Sequence, residues 1–454
     1  MSQLSLPFSR RALFALLAVA TLLPAQSPVA AALDRIATGY ADHRQFMGTV
    51  LVAKDGKVLL EKAYGKANVE WDVPNTTDGR FRLGSITKQF TATAILQLVA
   101  QDKLSLDAPL CKFLDGCPEA WKEINVHHLL NHTSGIPSYT GLPEFRLPRL
   151  RRLPLTPVEI AMLSKDKPLE FKPGEKMNYN NTGYVLLGHI IEKVSGHKYD
   201  EYIKSKIFEP LSMNSSGYDQ TEQIIEKRVT GYTWTPNGYR NAAFLDMSLP
   251  HAAGSLYSTV GDLYKWDRGL YGEKILPAAM KQKMFTPGLN DYAYGWSVTN
   301  KNNRQVISHG GGIPGFSTII QRFPENDAVV IVLSNVENVN AGNIANSLAS
   351  ALFGEEVQLS WDRKSIPLSK EVLDRYAGRY KLPPVVLTVT QEEGRLMVQP
   401  TDQPKLQALA ESERKFFLKE VDAALEFTGN GSGPAAGIIL RQGGRSMEGQ
   451  RMVE

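Results

Sequence analysis

The chain has 454 residues, of which 43% are hydrophobic, and its 51 basic and 47 acidic residues give a net charge of +4. This length and apolar content are sufficient for a large core and suggest two domains. The near-balance of charge gives no reason to expect a nucleic acid or an anionic membrane as a partner.

The first 32 residues have the features of a secretory signal peptide. Arg10-Arg11 form a positive start, the apolar run Ala12 to Leu23 is short for a membrane span, and Ala30-Ala31-Ala32 suits signal peptidase. We therefore predict cleavage near Leu33 and export to the bacterial periplasm, with no membrane span in the mature chain. An uncleaved membrane anchor is the alternative interpretation.

Strand patterns lie on both sides of a long helical middle. Gly48 to Lys54 and Lys57 to Tyr64 predict a hairpin around Asp55-Gly56, and residues 85 to about 285 are mostly helix and loop. The later elements are predicted strands at Tyr294–Val298, Arg304–Ser308, Phe316–Phe323 and Ala328–Ser334, and a helix at Ala341–Leu352. This order predicts one antiparallel sheet that carries a helical insertion, with a cleft between the two.

A serine and a lysine lie one helical turn apart in Ser85-Ile86-Thr87-Lys88, at the start of a predicted amphipathic helix. A partly desolvated lysine on the same helix face can accept the proton of the serine. The same spacing recurs at Ser164–Lys167, Ser195–Lys198 and Ser412–Lys415. Those three lie in loop-like, helix-exit or charged contexts, so Ser85 is the candidate nucleophile and Lys88 its base. An N-cap serine is the structural alternative.

Two further polar motifs follow. Tyr179-Asn180-Asn181 precedes an apolar helix and offers a phenolic oxygen for proton transfer and an amide for substrate recognition. In His309-Gly310-Gly311-Gly312, the glycines would let a substrate backbone approach, and His309 would bind a substrate carboxylate or shift the local charge. An N–H from this edge and that of Ser85 would form an oxyanion hole. The structural alternatives are a capped helix start and a hairpin bend.

His128 and His132 are four residues apart, which is a spacing found in metal sites. No glutamate lies between them and no third ligand is evident, so the sequence predicts no metal site and no cofactor. We expect a helix end with structural hydrogen bonds instead. Ser134, in the same stretch, lacks the flanking glycine of a nucleophile elbow.

Cys111 and Cys117 are the only cysteines of the sequence. In an oxidising compartment they can close a small disulfide loop, and two free thiols are the alternative.

The pattern changes to short strands towards the end of the chain. Residues 357–371 have the composition of a linker. Residues 372–454 alternate short strand patterns with turn residues such as Glu393-Gly394. The predicted strands are Tyr376–Tyr380, Val385–Thr390, Arg395–Gln399, Phe416–Lys419, Ala424–Phe427 and Gly437–Arg441. This spacing predicts a small β-barrel or sandwich.

Taken in order, these motifs resemble those of the penicillin-recognising serine hydrolases, which include class C β-lactamases, DD-peptidases, D-aminopeptidases and esterases. The resemblance covers roughly residues 35–355 and rests on Ser85–Lys88, Tyr179–Asn181 and His309–Gly311. It implies a sandwich of an antiparallel sheet and helices (α/β, of the α+β type) over residues 33–356. Residues 372–454 resemble the lipocalin-like domain that often follows such hydrolases.

The resemblance also implies roles for individual residues. Ser85 would be acylated with Lys88 as its base, Tyr179 would carry the proton to the leaving group, and Asn181 would hold the substrate amide. The N–H groups of Ser85 and Gly312 would form the oxyanion hole, and the reaction would need no metal or cofactor.

Class C β-lactamases typically carry lysine where this chain has His309, and a neutral imidazole attracts a carboxylate less than an ammonium does. We therefore predict an exported serine hydrolase that acts on a D-amino-acid peptide, in the manner of a DD-carboxypeptidase. A carboxylesterase and a class C-like β-lactamase are the enzymatic alternatives. A wall-peptide sensor without catalysis is the non-enzymatic one. The predicted partner is a small-molecule or short-peptide substrate, and the oligomeric state stays open.

Overall fold

The computed structural model describes residues 27–452 apart from 236, 384, 402, 420–422, 430–432 and 443–444. The predicted signal peptide falls mainly on residues 1–26, which lie outside the described residues. Helix α1 (Pro28–Asp42) begins with a proline in its first turn, and the Ser27 side chain accepts the Ala30 N–H. Residues 28–32 therefore already belong to this helix, and cleavage near Leu33 stays a prediction.

The first part of the chain contains short and long strands in the following order: β1 (Gly48–Lys54), β2 (Lys57–Tyr64), β3 (Lys66–Asn68), β4 (Val73–Pro74), β5 (Phe81–Arg82), β6 (Gly217–Tyr218), β7 (Tyr232–Thr235), β8 (Gly238–Asn241), β9 (Leu256–Ser258), β10 (Ser297–Lys301), β11 (Arg304–Ile313), β12 (Phe316–Phe323) and β13 (Ala328–Ser334). Six of them form the predicted antiparallel sheet, in the order β10-β11-β12-β13-β1-β2. Strand β10 begins three residues later than predicted, and β11 runs through its glycines to Ile313. The small sheets β3-β4, β5-β9-β6 and β7-β8 were not predicted from the sequence.

The central strands β1 and β13 are buried on both faces, which explains their continuous apolar runs. Successive residues of β13 alternate between the two cores: Val329 and Ile331 pack with the helical region, whereas Val330 and Val332 pack on the other side. Helices α1 and α10 (Ala341–Leu352) cover that second face. The sheet therefore separates two layers of helices.

The helical region lies between β5 and β10. Its helices are α2 (Thr87–Ala100), α3 (Val126–Leu130), α4 (Pro157–Met162), α5 (Asn181–Ser195), α6 (Tyr199–Ile203), α7 (His251–Gly254), α8 (Val260–Gly269) and α9 (Ala278–Phe285). The prediction that α2 is amphipathic was wrong, because every residue from Thr87 to Leu98 is buried. Helices α5, α7 and α9 pack around it, so α2 forms the centre of this region.

Two local predictions can be compared directly with the structure. A disulfide joins Cys111 and Cys117, whose Cα atoms are 5.3 Å apart. Helix α3 ends at Leu130, and His132 has a left-handed backbone with φ of 62°, so His128 and His132 do not share a helix face.

The last part of the chain forms a closed antiparallel barrel. Its strands are β14 (Gly378–Leu382), β15 (Val385–Glu392), β16 (Arg395–Pro400), β17 (Leu406–Ala410), β18 (Lys415–Leu418), β19 (Ala423–Thr428), β20 (Gly437–Gln442) and β21 (Arg445–Arg451). Each strand pairs with the next along the chain, and β14 closes the barrel against β21. The predicted barrel is confirmed. Strands β17 and β21 were missed, and the predicted linker ends in a short helix, α11 (Lys370–Asp374).

The described helices include none that is long and apolar enough to cross a membrane.

Candidate active site

The turn that carries Ser85 packs directly against strand β11. Residues Gly84–Ile86 form a 3-10 turn that leads into α2, and Gly84 has a φ of 55°, which favours glycine. A Cβ on Gly311 would lie 1.9 Å from the Leu83 carbonyl oxygen. The space beside Gly311 is therefore filled by the protein's own backbone, and this close approach fixes Ser85 next to the glycine edge of the sheet.

Lys88 joins the predicted site residues through its Nζ atom. This atom lies 3.1 Å from Ser85 Oγ, 2.8 Å from Asn181 Oδ1 and 2.8 Å from the Ala253 carbonyl oxygen. Asn181 is the first residue of α5, and Ala253 lies in α7. Three helices thus converge on one amine, although their residues are far apart in the sequence.

The environment of Lys88 disfavours its charged form. The side chain is 0% exposed, and burial lowers its pKa well below the ordinary value. Its Nζ lies 4.7 Å from the centre of the Tyr179 ring and 5.4 Å from that of Tyr184. Within the described residues, no carboxylate forms a salt bridge with Lys88. An uncharged amine in this position can accept a proton from Ser85.

The ring of Tyr179 lies next to the Lys88 amine. Its hydroxyl group is buried and has no hydrogen-bond partner among the described residues. Burial raises its pKa, and the nearby Ser85 hydroxyl offsets part of this increase. The phenol is therefore protonated at neutral pH and can donate or relay a proton.

Asn181 is held by the neighbouring loop as well as by Lys88. Its backbone N–H donates to Ser138 Oγ at 3.1 Å, and its Nδ2 donates to Thr140 Oγ1 at 3.1 Å. The orientation of the amide is thus set on one side by Lys88 and on the other by the loop around residues 138–140.

His309 is almost fully buried, with 8% exposure. Its Nδ1 lies 2.6 Å from the Gly310 carbonyl oxygen, which can only accept, so Nδ1 carries the proton. Its Nε2 then accepts from the Tyr292 hydroxyl at 3.0 Å. Burial, together with the nearby Lys88, lowers the pKa of His309 to about 4. The imidazole is therefore neutral at neutral pH, and both ring nitrogens already have partners within the protein.

The glycine stretch of β11 has a free edge. Strand β10 pairs with Arg304–Ser308, so among the described residues 309–313 pair with β12 on one side alone. A Cβ on Gly312 would meet nothing within 4 Å. This edge is open for the backbone of an extended substrate, and it adjoins the turn that carries Ser85.

Sequence reasoning missed the connection between His132 and this site. His132 Nδ1 accepts the Asn180 N–H at 3.1 Å, and its ring centre lies 4.4 Å from that of Tyr179. Burial lowers its pKa well below the ordinary value, and its Nε2 has no partner among the described residues. The stretch that contains His132 was noted in the sequence, but nothing in the sequence pattern links it to residues 179–181.

The other Ser-x-x-Lys pairs have different environments. Ser412 Oγ accepts the Lys415 backbone N–H in an exposed turn of the barrel, and Ser164 Oγ donates to the Pro137 carbonyl. Within the described ranges, no group of three His, Cys, Asp or Glu side chains is arranged to hold a metal ion.

A family model described as Beta-lactamase matches residues 33–354, which is more than two thirds of the chain. The chain belongs to the beta-lactamase family. It is therefore an enzyme of the serine hydrolase type, and the sheet-and-helix fold is the one that the motifs predicted. A second model, described as a domain of unknown function (DUF3471), matches residues 362–451, which include the whole barrel.

Known relatives share most of this chain. Penicillin-binding protein 4* of Bacillus subtilis (strain 168) is 30% identical over 435 residues, which cover 90% of this chain and 96% of that protein. The structure of an octameric penicillin-binding protein homologue from Pyrococcus abyssi is 28% identical, covers 92% of this chain and 99% of its own, and has a TM-score of 0.66. Both similarities extend beyond the beta-lactamase family match into the barrel.

A D-amino acid amidase from Ochrobactrum anthropi SV3, solved with D-phenylalanine, is similar over a smaller part. It is 26% identical, covers 72% of this chain and 99% of its own, and has a TM-score of 0.64.

Proposed function

We propose that this enzyme hydrolyses D-amino-acid peptides through an acyl-enzyme on Ser85, in the manner of a DD-carboxypeptidase. The contact of 3.1 Å between Ser85 Oγ and the buried Lys88 Nζ carries the proposal. Burial lowers the pKa of this lysine well below its ordinary value, which favours the amine as a base within reach of the hydroxyl proton. The penicillin-binding and D-amino acid amidase relatives support the choice of substrate.

In the proposed acylation step, Lys88 Nζ takes the proton of Ser85 as Oγ attacks the substrate carbonyl carbon. The C=O π electrons move to oxygen, and the N–H groups of Ser85 and Gly312 stabilise the resulting oxyanion. When the tetrahedral intermediate collapses, the C–N bond breaks and its electrons stay on the leaving amine. Tyr179 passes a proton to that amine and is reprotonated from Lys88, because its raised pKa keeps the phenol protonated at neutral pH.

Deacylation reverses the roles with water as the nucleophile. Water loses a proton to the Tyr179–Lys88 pair, attacks the ester carbonyl, and the Ser85 oxygen leaves and regains a proton. Asn181 holds the substrate amide through a side chain that Lys88 and Thr140 keep in place. Ser85, Lys88 and Tyr179 exchange every proton that the cycle moves between enzyme, substrate and water, so the proposed cycle needs no cofactor.

The state of His309 bears on the substrate class. Both ring nitrogens are used within the protein, and a pKa of about 4 leaves the ring uncharged at neutral pH. A β-lactam carboxylate would thus find no cation at this position. This observation favours a carboxylesterase as the second candidate function, and it argues against efficient β-lactam hydrolysis.

The experiment that tests the proposal compares Ser85→Ala with Ser412→Ala, which removes a serine of the same spacing in the barrel. Each protein is given a D-Ala-D-Ala peptide, a D-amino acid amide, a short nitrophenyl ester and benzylpenicillin, and acylation is followed by intact-protein mass. We expect turnover of the D-peptide and a serine adduct in the wild type and the Ser412→Ala variant only. Turnover of esters alone would establish the esterase instead, and activity that survives Ser85→Ala would refute both.

We further propose that the protein acts after export to the bacterial periplasm. The apolar N-terminal run and the disulfide between Cys111 and Cys117 support this location. The mass of the protein recovered from a periplasmic extract tests it, because a full-length chain in the cytoplasm would contradict export.

We also propose that the barrel is lipocalin-like. Its eight strands follow one another in consecutive order, as in an up-and-down barrel, and large apolar side chains such as Phe416 and Phe427 fill its interior. An experimental structure of the barrel tests this topology.

A further inference from the structure

A strip of arginines lies beside the candidate active site. Residues 143–153 contain four arginines and one glutamate, so they carry a net charge of +3 in a chain whose total is +4. Two 3-10 turns, Pro143–Arg146 and Leu150–Arg152, form most of this arginine strip. Positive charge is therefore concentrated in one surface segment of an otherwise balanced protein.

Three of the four guanidinium groups of the strip are available. Arg146, Arg149 and Arg152 are exposed, and none forms an ion pair within the described part of the chain. Leu147 and Leu153 lie among them with exposures of 59% and 41%. The surface thus alternates cations and apolar groups, which suits a ligand that has both acidic groups and hydrocarbon.

Glu144, within the strip, and Asp246, whose N–H donates to the Arg151 carbonyl, have other side-chain partners. Glu144 lies 3.4 Å from Lys167, and Asp246 accepts from Ser248 N and Thr221 Oγ1. The positive field of the three exposed arginines is therefore not cancelled by a directly paired acid.

A continuous set of contacts joins the strip to the catalytic helices. The side chain of Asn181 donates to Thr140, the neighbouring Tyr139 packs edge-to-face on Phe145 at 5.0 Å, and Phe145 precedes Arg146. Arg151 lies over the same Phe145 ring, at 5.2 Å. The buried Phe145 therefore anchors the strip at the rim of the cleft, on the side of Asn181.

We infer that the arginine strip binds the acidic chain of a peptide substrate whose D-residue end lies at Ser85. This inference rests on the proposed function for its choice of peptide. The centre of the site offers little to a carboxylate. Lys88 Nζ already contacts Ser85, Asn181 and Ala253, and burial disfavours its charged form. Both ring nitrogens of His309 have partners within the protein. Acidic groups of the substrate would thus be recognised at the rim of the cleft rather than at the reacting bond. There the arginines would raise the local concentration of acidic substrates.

The test uses two peptides that end in D-Ala-D-Ala, one with two glutamates and the other with two glutamines at the same positions. Binding to the Ser85→Ala protein is measured by fluorescence anisotropy with a neutral dye, so that turnover is not required. We expect about tenfold tighter binding of the glutamate peptide at low salt and loss of this preference at high salt. Arg146→Gln/Arg149→Gln/Arg152→Gln should abolish the preference and leave binding of the glutamine peptide unchanged.

A matched control variant is Arg35→Gln/Arg379→Gln/Arg395→Gln, which removes three exposed arginines outside the strip. Equal binding of the two peptides, or an equal loss in the control variant, would overturn the inference. Strip-dependent binding to anionic phosphatidylglycerol vesicles without any peptide preference would also overturn it in favour of a membrane surface. Preferential binding without cleavage by the wild-type protein would support the strip while refuting the proposed peptidase.

Discussion

The helical region around Ser85 and the barrel differ in the residue types that they bury. Lys88 of α2 is buried, as are His132 and His251, and atoms such as Tyr179 Oη and His132 Nε2 have no partner among the described residues. In the barrel, the buried residues that the structure describes are apolar or aromatic, and the hydroxyls of Tyr376 and Tyr380 both donate to backbone carbonyls.

This difference indicates how the buried residues of each region affect the free energy of folding. A buried group that is kept neutral or unpaired costs folding free energy, and such groups collect at functional sites. A core of apolar and aromatic side chains, like that of the barrel, contributes stability without preparing chemistry. Substitutions of matched residue types in the two regions should therefore have different consequences.

The largest expected effect comes from comparing Lys88 with Lys415, the lysine of another Ser-x-x-Lys pair. Arginine stays protonated in proteins, so Lys88→Arg cannot accept the Ser85 proton, and we expect kcat to fall at least about 10³-fold. Lys415→Arg, in the barrel, should leave kcat within about twofold. Steady-state hydrolysis of the best substrate of the panel measures both, and an active Lys88→Arg protein would contradict a role for the lysine as a base.

The second contrast uses two buried phenylalanines. Phe416 lies in the barrel core and Phe90 lies in α2, where it packs on Phe208 and Trp266. Each change to alanine should lower the free energy of unfolding by about 3–5 kcal/mol. Only Phe90→Ala should also reduce hydrolysis at 20 °C, because it disturbs the helix that carries Lys88. Urea unfolding and activity measured on the same samples test this. Equal activity losses in Phe90→Ala and Phe416→Ala would show that the barrel core affects the active site as much as α2 does.

A third prediction concerns the position of His132. Asparagine tolerates a left-handed backbone, and its Oδ1 can replace Nδ1 as the acceptor of the Asn180 N–H, whereas glutamine places its polar atoms farther out. We expect His132→Asn to retain kcat within about tenfold and His132→Gln to lose about 100-fold, since small displacements of reacting groups are costly.

The pH dependence of the two His132 variants distinguishes positioning from proton transfer. If His132 only positions Tyr179 and Asn181, His132→Asn keeps the wild-type pH profile of kcat. If the decrease of kcat on the acidic or the basic side of the pH profile disappears in both variants, the imidazole itself transfers protons.

The smallest expected effect concerns the stability at mildly acidic pH. Burial, with a smaller contribution from His189, lowers the pKa of His251 to about 3, below the value of about 6.5 in an unfolded chain. As the pH falls below about 6.5, the unfolded chain binds a proton that the folded chain excludes, so the folded state loses about 1.4 kcal/mol per pH unit for this group. Above that range the contribution is fully retained.

Replacing His251 by asparagine, which suits its left-handed φ of 35°, should therefore reduce the loss of stability between pH 7 and pH 5 by about 2 kcal/mol. The barrel has no histidine, since none occurs after residue 309. Urea unfolding at the two pH values measures the difference. An identical loss in wild type and variant would show that His251 titrates normally.

The elements that sequence patterns determined best are those with strong local signals. Strands β1, β2, β12 and β13 and helix α10 have the predicted bounds, because their apolar runs end at turn residues such as Asp55-Gly56. Strands β17 and β21 and the three small sheets were missed. Strands as short as Phe81–Arg82 have too few residues for a periodic pattern and form only against distant partners such as β9.

The sequence by itself determined which residue types the site contains, because Ser85, Lys88, Tyr179, Asn181 and His309 stand in short motifs whose order is specific. The tertiary structure alone decided their state. Burial lowers the pKa values of both Lys88 and His309, and the groups that contact Lys88 Nζ from α5 and α7 lie more than 90 residues away in the chain. Only the fold brings His132 to Tyr179 and the arginine strip to the rim, since pKa and proximity depend on packing rather than on spacing along the chain.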